Sequence, residues 1–432
     1  MTRLHASALA VLVLIMVNSF AADSPRPVMK DFMGLCGHTV QFKPALYAPV
    51  TRLVRDYHPL TWDLGSDTSS QLTFPMAQNG VNWAQVYGSW RKEGLRPHAC
   101  VIFDDLKPDA WHDLSKDAFA YGRAFASAFG PSAEEPLLEA VEIGNEPGRY
   151  PDETYRQLFE AMARGVRDGD PNMRIATCAA NLGTSGRYSK SMDLFRGLES
   201  LFDIINIHLY AEIEGWPTWR RSYPEDPATR FVEHLRSVLS WRREQAPDKE
   251  VWLTEFGWDA STQPAPQTGD FAKWEGSTET QQAQWIVRAY LLLAREGVDR
   301  AYLYFFNDDD TPHVHGSSGL TRNFEPKPSY YAAAWLQKNL GEFRFSRVIS
   351  EEPEKGYAYE FVHGEKPGRR IIAAWKPDGK ITELKVPVEN ATVTDAERMP
   401  LSADPPTKSE VRIEDHLMTI EIGPSPVLVM LN

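Results

Sequence analysis

The chain has 432 residues, of which 42% are hydrophobic and 24% charged, a composition typical of globular proteins. Because one hydrophobic core seldom serves a chain of this length, we expect a large domain and a smaller one. The formal net charge of −13 argues against nucleic acid or an anionic membrane surface as partner, since both repel an acidic protein.

The N-terminus has the pattern of a signal peptide. Arg3 gives a basic start, Ala8 to Val17 form an apolar run, and Ser19-Phe20-Ala21 offers small residues around a cleavage site. The run is too short for a membrane-spanning helix. We therefore expect residues 1–21 to be removed and the mature protein to be secreted or periplasmic, with no membrane partner after cleavage.

Short apolar runs alternate with helical patterns between about residues 31 and 339, which is typical of parallel βα units. The predicted strands are Phe32–Cys36, Leu60–Leu64, His98–Phe103, Leu138–Gly144, Met173–Cys178, Phe202–Leu209, Glu250–Glu255 and Arg300–Phe306. The predicted helices include Trp83–Glu93, Ala118–Phe129, Thr154–Gly169, Ala228–Glu244, Thr280–Glu296 and Ser329–Leu340. Eight strands with a helix after each predict a closed (β/α)8 TIM barrel with its active site at the carboxyl ends of the strands. An open doubly wound sheet is the alternative, but no GxGxxG or P-loop sequence supports it.

From Gly341 the hydrophobic pattern becomes that of antiparallel strands. The predicted strands are Gly356–His363, Arg370–Lys376, Thr382–Pro387 and Met418–Ile422. They predict a small C-terminal β-sandwich at residues 341–432 after a catalytic barrel at residues 22–340, and the segment Pro25–Asp31 could add a strand to it. The tail could bind carbohydrate, but it lacks a dense aromatic face, so we favour a role in stiffening the barrel.

Three cysteines, Cys36, Cys100 and Cys178, include no CxxC pair. At most one disulfide could form, and we expect all three to be buried in apolar strands instead. Disulfides are therefore not predicted to hold this fold.

Two glutamates end predicted strands. In Val141-Glu142-Ile143-Gly144-Asn145-Glu146-Pro147-Gly148 a strand ends in an Asn-Glu pair, and in Val251-Trp252-Leu253-Thr254-Glu255-Phe256-Gly257 it ends in a glutamate. One such glutamate alone is more often a capping or salt-bridging residue. These two, however, end the fourth and seventh strands, which face each other across the mouth of a closed barrel. We therefore predict that Glu146 and Glu255 converge on one substrate bond.

Hydrolysis of a glycoside needs such a pair of carboxyl groups. A retaining enzyme uses one as acid/base and the other as nucleophile, roughly 5–5.5 Å apart. Glu146 would hold a proton and Glu255 would stay ionised, and proximity helps because one ionised carboxyl makes the other harder to ionise. Asn145 is suited to donate a hydrogen bond to the sugar 2-hydroxyl. No cofactor or metal is required.

The motifs Asn145-Glu146-Pro147 and Thr254-Glu255-Phe256-Gly257 resemble the acid/base and nucleophile motifs of clan A glycoside hydrolases, the 4/7 superfamily. Ile207-His208-Leu209-Tyr210 is similar to the clan's His-x-Tyr motif. The resemblance implies that Tyr210 hydrogen-bonds the nucleophile and that His208 lines the −1 subsite. The pairing of a barrel with a β-sandwich is most like family 39 and its relatives, with family 5 close behind.

Two positions depart from the clan pattern. The clan usually carries an arginine at the end of strand two that supports the nucleophile, whereas this chain offers Trp62-Asp63 there. The clan's tryptophan at the end of strand eight is replaced by Phe305-Phe306-Asn307. Both changes fall near the −1 subsite, so they leave the reaction class unchanged and the identity of the sugar open.

Further candidates follow other strands. Trp258 begins a long loop that runs through Trp274 and Glu275 and could provide aromatic stacking surface, as could Trp216 and Trp219 after strand six. The predicted substrate-binding residues are Asn145, His208, Tyr210, His38, Trp62, Asp63, Trp258, Phe306 and Asn307.

The run Asp308-Asp309-Asp310, followed by His313 and His315, invites interpretation as a metal site. Its spacing matches neither an EF-hand nor a HExxH site, so we interpret it as a solvated loop near the cleft and predict no metal. The sequence also lacks a GxSxG nucleophile elbow.

The predicted function is a secreted retaining β-glycoside hydrolase acting on an oligo- or polysaccharide. An inverting hydrolase or a transglycosylase could use the same two residues. A glycan-binding protein on an inactive barrel is a different class, but binding alone needs no carboxylate pair. A secreted structural or adhesion protein would leave the pair unexplained. The sugar, the linkage and the choice between endo and exo attack stay open.

Overall fold

The structure, a computed structural model, describes residues 25–38, 43–366, 368–388 and 392–432. The signal peptide predicted at residues 1–21 lies outside the described residues. Eight parallel strands close into a barrel in the order β1-β8-β7-β6-β5-β4-β3-β2. They are β1 (Met33–Gly37), β2 (Leu53–Pro59), β3 (Arg96–Ile102), β4 (Ala140–Ile143), β5 (Arg174–Ala176), β6 (Ile204–His208), β7 (Glu250–Phe256) and β8 (Arg300–Leu303). The predicted (β/α)8 fold is confirmed.

Helices connect most of the barrel strands. They are α1 (Pro44–Tyr47), α2 (Leu60–Leu64), α3 (Trp83–Lys92), α4 (Leu114–Phe129), α5 (Asp152–Gly169), α6 (Phe231–Gln245), α7 (Glu279–Glu296) and α8 (Pro328–Leu340). The expectation of a helix after every strand is wrong at one place. The segment between β5 and β6, described throughout, contains the 3₁₀ turns Met192–Phe195 and Glu199–Leu201 and no α-helix.

The second strand was predicted one element too late. Leu60–Leu64 is the short helix α2, and the strand is Leu53–Pro59 immediately before it. Arg55 and Asp56 interrupt the apolar run of this strand, yet both are fully buried in the structure. A buried charge needs a partner of opposite charge, and the barrel supplies one for Arg55 from another strand.

The barrel interior is layered along the strands. Cys36, Leu53, Ala140, Ala176, Ile204, Trp252 and Tyr302 form an apolar floor. Gly34 leaves room for it, because a Cβ atom there would lie 2.3 Å from the Tyr302 ring. Two residues further along β2, β4 and β6, on the same face of each strand, the interior becomes polar with Arg55, Glu142 and Asn206. This polar layer lies directly beneath the mouth.

The C-terminal part forms two antiparallel sheets. Its strands are β9 (Phe343–Glu352), β10 (Gly356–His363), β11 (Arg370–Trp375), β12 (Thr382–Pro387), β13 (Val393–Arg398), β14 (Val411–Glu414), β15 (Leu417–Ile422) and β16 (Val427–Leu431). One sheet has the order β9-β10-β11-β16-β13 and the other β12-β15-β14. Residues from both sheets share a separate apolar core, as in a β-sandwich. The expectation that Pro25–Asp31 adds a strand is wrong, because Met29–Asp31 is a 3₁₀ turn.

The sandwich and the barrel share one continuous apolar cluster, which includes Tyr357, Tyr359 and Trp375 beside the barrel helices. Polar contacts cross the same boundary, such as Arg295 Nε to Glu351 Oε2 at 2.8 Å. All three cysteines are free and buried as predicted, Cys36 in β1 and Cys100 in β3, but Cys178 lies just after β5 and not in a strand. Among the described residues, no helix combines the length and the apolar character needed to cross a bilayer.

Candidate active site

The two predicted glutamates lie at the barrel mouth on the fourth and seventh strands. Gly144, with a φ of +86°, turns the chain directly after β4, a conformation that glycine adopts without a steric penalty. Glu146 follows it. On β7 the register shifts between Leu253 and Glu255. This irregularity explains how the consecutive residues Thr254 and Glu255 can both face the interior, since a regular strand would point one of them outward.

The two carboxyl groups meet at His208. One oxygen of Glu146, one oxygen of Glu255 and a ring nitrogen of His208 all lie within 4.8 Å of one another. Nδ1 of His208 is 2.8 Å from Oε1 of Glu146 and 3.6 Å from Oε2 of Glu255. The Glu146 side chain is 24% exposed and that of Glu255 8% exposed, and both line a cavity that opens to solvent. The predicted convergence of these residues is therefore present.

Three donors hold the Glu255 carboxylate. Oε1 accepts hydrogen bonds from Arg55 Nη1 at 2.9 Å and from Tyr57 Oη at 2.6 Å. Oε2 accepts one from Tyr210 Oη at 2.9 Å, the contact that the His-x-Tyr resemblance implied. Burial by itself raises the pKa of Glu255, but the charges of His208 and Arg55 and the Tyr57 hydrogen bond outweigh it and lower the pKa to about 2. Glu255 is therefore ionised at neutral pH.

Arg55 is the arginine beside the proposed nucleophile that the predicted second strand lacked. The predicted departure at Trp62-Asp63 is wrong, because the second strand itself carries an arginine that binds the β7 glutamate. Arg55 is fully buried and also makes a bidentate ion pair with Glu142, at 2.8 Å from both Nε and Nη2. Such planar two-bond pairing fixes the guanidinium rigidly.

Asn145 is oriented by the same arginine. Its Oδ1 accepts a hydrogen bond from Arg55 Nη2 at 2.7 Å. Because arginine only donates, the amide oxygen must face Arg55, which leaves the Asn145 amide nitrogen as the donor for another group. This orientation matches the donor role expected of Asn145.

His208 lies between the two carboxyl groups. Burial by itself lowers the pKa of His208, but the Glu255 charge and the hydrogen bond to Glu146 outweigh it, so the pKa is raised above its usual value. A protonated His208 would offset part of the negative charge of Glu255, 3.6 Å away.

The cavity above these residues has a volume of about 770 Å³. It lies mainly over strands β4 to β8 and takes much of its wall from the loops after β5 and β6. The lining residues that carry polar or aromatic groups include His38, Tyr57, Asn145, Glu146, Tyr188, His208, Tyr210, Trp219, Arg221, Glu255, Phe271, Tyr304 and His315. Of the predicted binding residues, the structure therefore brings Asn145, His208, Tyr210 and His38 to the cavity.

Trp62 and Asp63 lie away from this wall. The Asp63 carboxylate is buried and accepts hydrogen bonds from Trp83 Nε1 and Tyr121 Oη, each at 2.7 Å, and contacts His58 Nε2 at 2.7 Å. The Trp62 ring stacks on Trp83 with centroids 6.0 Å apart. These contacts fix α2 against α3 and α4.

Trp258, Phe306 and Asn307 are also buried away from the cavity wall. Trp258 donates from Nε1 to the carbonyl of Ser222 at 2.6 Å. Phe306 is fully buried, and the Asn307 side chain accepts the backbone N–H of Phe324 at 2.5 Å. After strand eight the aromatic residue at the cavity is instead Tyr304.

Sequence reasoning missed Arg55, Tyr57, Tyr304 and His315. A signal for the first two existed, because an arginine inside a run of strand-forming residues requires a buried carboxylate partner. His315 was considered only as a metal ligand. The aspartates before it do not converge with the histidines on a metal site, since Asp308 pairs with Lys327 at 2.8 Å and Asp310 with Arg322 at 2.9 Å.

Glu146, His208 and Glu255 are spaced closely enough to share a metal ion. Arg55, however, already supplies a positive charge 2.9 Å from the Glu255 carboxylate. The nearby guanidinium charge would repel a cation bound there.

Comparison with known proteins places this architecture among glycoside hydrolases of solved structure. No protein-family model matches the chain, and no curated protein is similar to it in sequence. A family 39 glycoside hydrolase from Bacteroides cellulosilyticus WH2 superposes with a TM-score of 0.70 at 18% identity, over 94% of this chain and 83% of that chain.

Two further structures are similar over nearly their whole length. A family 30 subfamily 8 xylanase from Clostridium acetobutylicum has a TM-score of 0.60 at 11% identity, over 95% of this chain and 98% of that chain. A family 51 α-L-arabinofuranosidase from Bifidobacterium longum has a TM-score of 0.57 at 13% identity, over 95% and 97%. At these identities the likeness establishes a shared fold.

Proposed function

We propose that the protein is a retaining β-glycoside hydrolase, with Glu146 as acid/base and Glu255 as nucleophile. The observation that carries the proposal is the convergence of these two carboxyl groups, from strands four and seven, to within 4.8 Å in an open cavity. An inverting enzyme needs roughly 6.5–9.5 Å between its carboxyl groups to admit a water molecule, so the shorter separation favours retention. The shared fold with glycoside hydrolases supports the same reaction class.

In the first step Glu146 gives its proton to the glycosidic oxygen while Glu255 attacks the anomeric carbon. The bond to the leaving group breaks, and an ester forms between the sugar and Glu255. Oε1 of Glu255 already accepts two hydrogen bonds, whereas Oε2 accepts one, so Oε2 keeps a lone pair for the attack. The low pKa of Glu255 keeps this oxygen ionised.

In the second step the Glu146 carboxylate removes a proton from water, and the water oxygen attacks the same anomeric carbon. The ester breaks, and Glu255 returns as a carboxylate. Two inversions at one carbon restore the original configuration. Asn145 donates a hydrogen bond to the 2-hydroxyl, a contact that strengthens in the transition state.

We propose an oligo- or polysaccharide as substrate. The volume of about 770 Å³ lies within the usual 300–1,000 Å³ range of ligand cavities, and Tyr188, Trp219 and Phe271 line it with aromatic surface for stacking on sugar faces. The proposal includes export directed by residues 1–21, catalysis by the barrel at 22–340 and a supporting role for residues 341–432.

Proton NMR of the first product tests the proposal. The full mature chain is incubated with a panel of 4-nitrophenyl β-glycosides and β-linked polysaccharides, and the anomeric signal is recorded before mutarotation. We expect the β-anomer to appear first. An α-anomer as first product would contradict retention, and a chain that hydrolyses no glycoside would contradict the function.

A further inference from the structure

The loop after β5 exposes two large apolar side chains in the cavity. We call residues 177–191 the β5 loop. Tyr188 is 54% exposed and Leu182 is 43% exposed, and both line the cavity that holds Glu146. An apolar side chain that water surrounds at a cavity wall gains free energy when a ligand covers it. The ring of Tyr188 is therefore suited to contact a substrate.

The β5 loop packs against the motif of the proposed acid/base. The backbone N–H of Ala179 donates a hydrogen bond to the carbonyl oxygen of Asn145 at 3.0 Å. A Cβ atom at Gly148 would lie 2.1 Å from the carbonyl oxygen of Arg187, so the backbone of Arg187 lies directly against the turn after the acid/base. Tyr188 is the next residue. These contacts place Tyr188 on the β4 side of the cavity.

A buried lysine anchors the same loop. The Lys190 side chain is 3% exposed, and its Nζ donates to the carbonyl of Tyr150 at 2.5 Å and to Oδ1 of Asp152 at 3.0 Å. A buried ammonium group needs partners of this kind. These partners lie at the start of α5, so the β5 loop is tied to the helix that follows β4. A wall that is fixed before binding loses less conformational entropy when a ligand arrives.

The cavity continues beyond the barrel mouth on this side. A regular (β/α)8 barrel has a helix after each strand, but the segment between β5 and β6 contains no α-helix. His234, Ser237 and Val238 of the next helix, α6, line the cavity together with the β5 loop. Because α6 lies outside the barrel, the cavity extends past the place where a sugar contacts Glu255.

The chemistry of the proposed reaction determines which part of the substrate lies on this side. The nucleophile and the leaving group occupy opposite sides of the anomeric carbon, and the acid/base protonates the leaving group. The leaving group therefore lies beside Glu146, which follows β4. The strands β3 and β5 flank β4, and the loop after β3, described throughout, contributes no residue to the cavity lining. The leaving group is thus directed towards the β5 loop.

We propose that Tyr188 binds the leaving-group sugar of an oligosaccharide by stacking its ring on a face of that sugar. The inference rests on the proposed function and deepens it, because it assigns a carbohydrate to the leaving group. The guanidinium of Arg187 lies over the Tyr188 ring, with Cζ 5.2 Å from the ring centroid. The sugar therefore stacks on the opposite face of the ring.

Substrates that share one glycone and differ in their leaving group test this contact. The glycone is the sugar whose 4-nitrophenyl β-glycoside has the highest kcat/KM, and it is supplied as the β-glycosyl fluoride and as its β-linked disaccharides. Fluoride leaves the site of the leaving-group sugar empty. We expect Tyr188→Ala to lower kcat/KM about 10-fold for the best disaccharide, the effect of one lost aromatic contact. For the fluoride kcat/KM should stay unchanged.

Two variants control the test. Tyr188→Phe keeps the ring and should match the wild type on both substrates, because stacking uses the ring and not the hydroxyl. Trp216→Ala removes a ring that is 68% exposed on the loop after β6, but Trp216 does not line the cavity, so neither rate should change. Because both side chains are exposed, every variant should unfold near the wild-type temperature.

No loss on the disaccharide, or equal losses on the disaccharide and the fluoride, would overturn the inference. A wild type that hydrolyses the fluoride but none of the disaccharides would also overturn it. In each of these cases the active wild type leaves the proposed function intact. A wild type that hydrolyses no glycoside at all would instead remove both proposals.

Discussion

Two arginines, Arg55 beneath the barrel mouth and Arg288 on α7, are completely buried, and each makes a two-bond ion pair with a glutamate. Arg288 pairs with Glu225, which also accepts Trp375 Nε1 from the sandwich at 2.5 Å. The Glu225 side chain is 1% exposed, sealed between barrel and sandwich.

Arg55 differs because it serves a second carboxylate. Besides Glu142, which is fully buried, it binds Glu255, which faces the cavity. A buried ion pair alone therefore does not identify an active site. What distinguishes Glu255 from Glu225 is that buried donors in the barrel hold its carboxylate while the same carboxylate also lines the open cavity.

The largest expected difference between the ion pairs around Arg55 and Arg288 is the effect of their glutamates on kcat. Glu255→Gln should lower kcat on the order of 10⁶-fold, the scale of losing a covalent nucleophile, while Arg55 keeps Glu142 and the chain stays folded. The matched control Glu225→Gln should retain full kcat per folded molecule. Initial rates on an activated aryl glycoside, with thermal unfolding of each variant, provide the measurement. More than about 1% residual kcat in purified Glu255→Gln would remove the assignment of the nucleophile.

Glu146→Ala tests the partner of Glu255. We expect kcat/KM to fall about 10²- to 10⁴-fold for substrates with poor leaving groups and little for a dinitrophenyl glycoside, whose leaving group needs no proton. Azide should restore turnover of the activated substrate and give a β-glycosyl azide, detectable by NMR. An equal loss on both substrate types, without azide rescue, would contradict the acid/base role.

Arg55→Met and Arg288→Met compare the two arginines by their effects on the free energy of unfolding and on kcat. Each substitution leaves a buried glutamate without its counter-charge, so each should lower the free energy of unfolding by about 3–5 kcal/mol. Urea unfolding measures both. Only Arg55→Met should also reduce kcat of the folded protein, because only Arg55 contacts the proposed nucleophile. Equal kcat in the two variants would show that Arg55 has a structural role alone.

The smallest expected effect concerns pH. The Tyr57 hydrogen bond lowers the pKa of Glu255, so Tyr57→Phe should raise this pKa, by about one unit. The acid limb of kcat/KM, measured in brief assays between pH 1.5 and 7, should move upward by that amount. Tyr223→Phe, beside Arg288, is the control and should leave the limb in place. If the acid limb of Tyr57→Phe coincides with that of the wild type, the ionisation of Glu255 does not determine this limb.

The barrel and its two glutamates were predictable because each depends on local patterns. Strands of apolar residues ended by Asn145-Glu146 and by Glu255 carry both the fold and the positions of the reacting groups. The second strand was not found, because Arg55 and Asp56 make it resemble a polar segment until their buried partners are known. Because the second strand was predicted one element too late, Trp62 and Asp63 were predicted to be site residues at its end.

The walls of the cavity depend on contacts between distant parts of the chain. His315 reaches the cavity because Asp259, 56 residues earlier, fixes its loop, and no local pattern records that contact. Trp258 and Phe306 follow strands β7 and β8, yet they pack into the core, because residues after a strand point to the cavity or away from it according to the loop that follows. Such loop conformations are not encoded in hydrophobic periodicity.

The most direct test of the central claim is to trap the covalent intermediate. The mature protein is incubated with 2-deoxy-2-fluoro β-glycosyl fluorides of several common sugars, digested with pepsin, and analysed by mass spectrometry. We expect one sugar per chain, attached to a peptide through Glu255, with loss of activity in proportion to labelling. Labelling of another carboxylate, or turnover of glycosides by a protein that none of these reagents labels, would contradict the account.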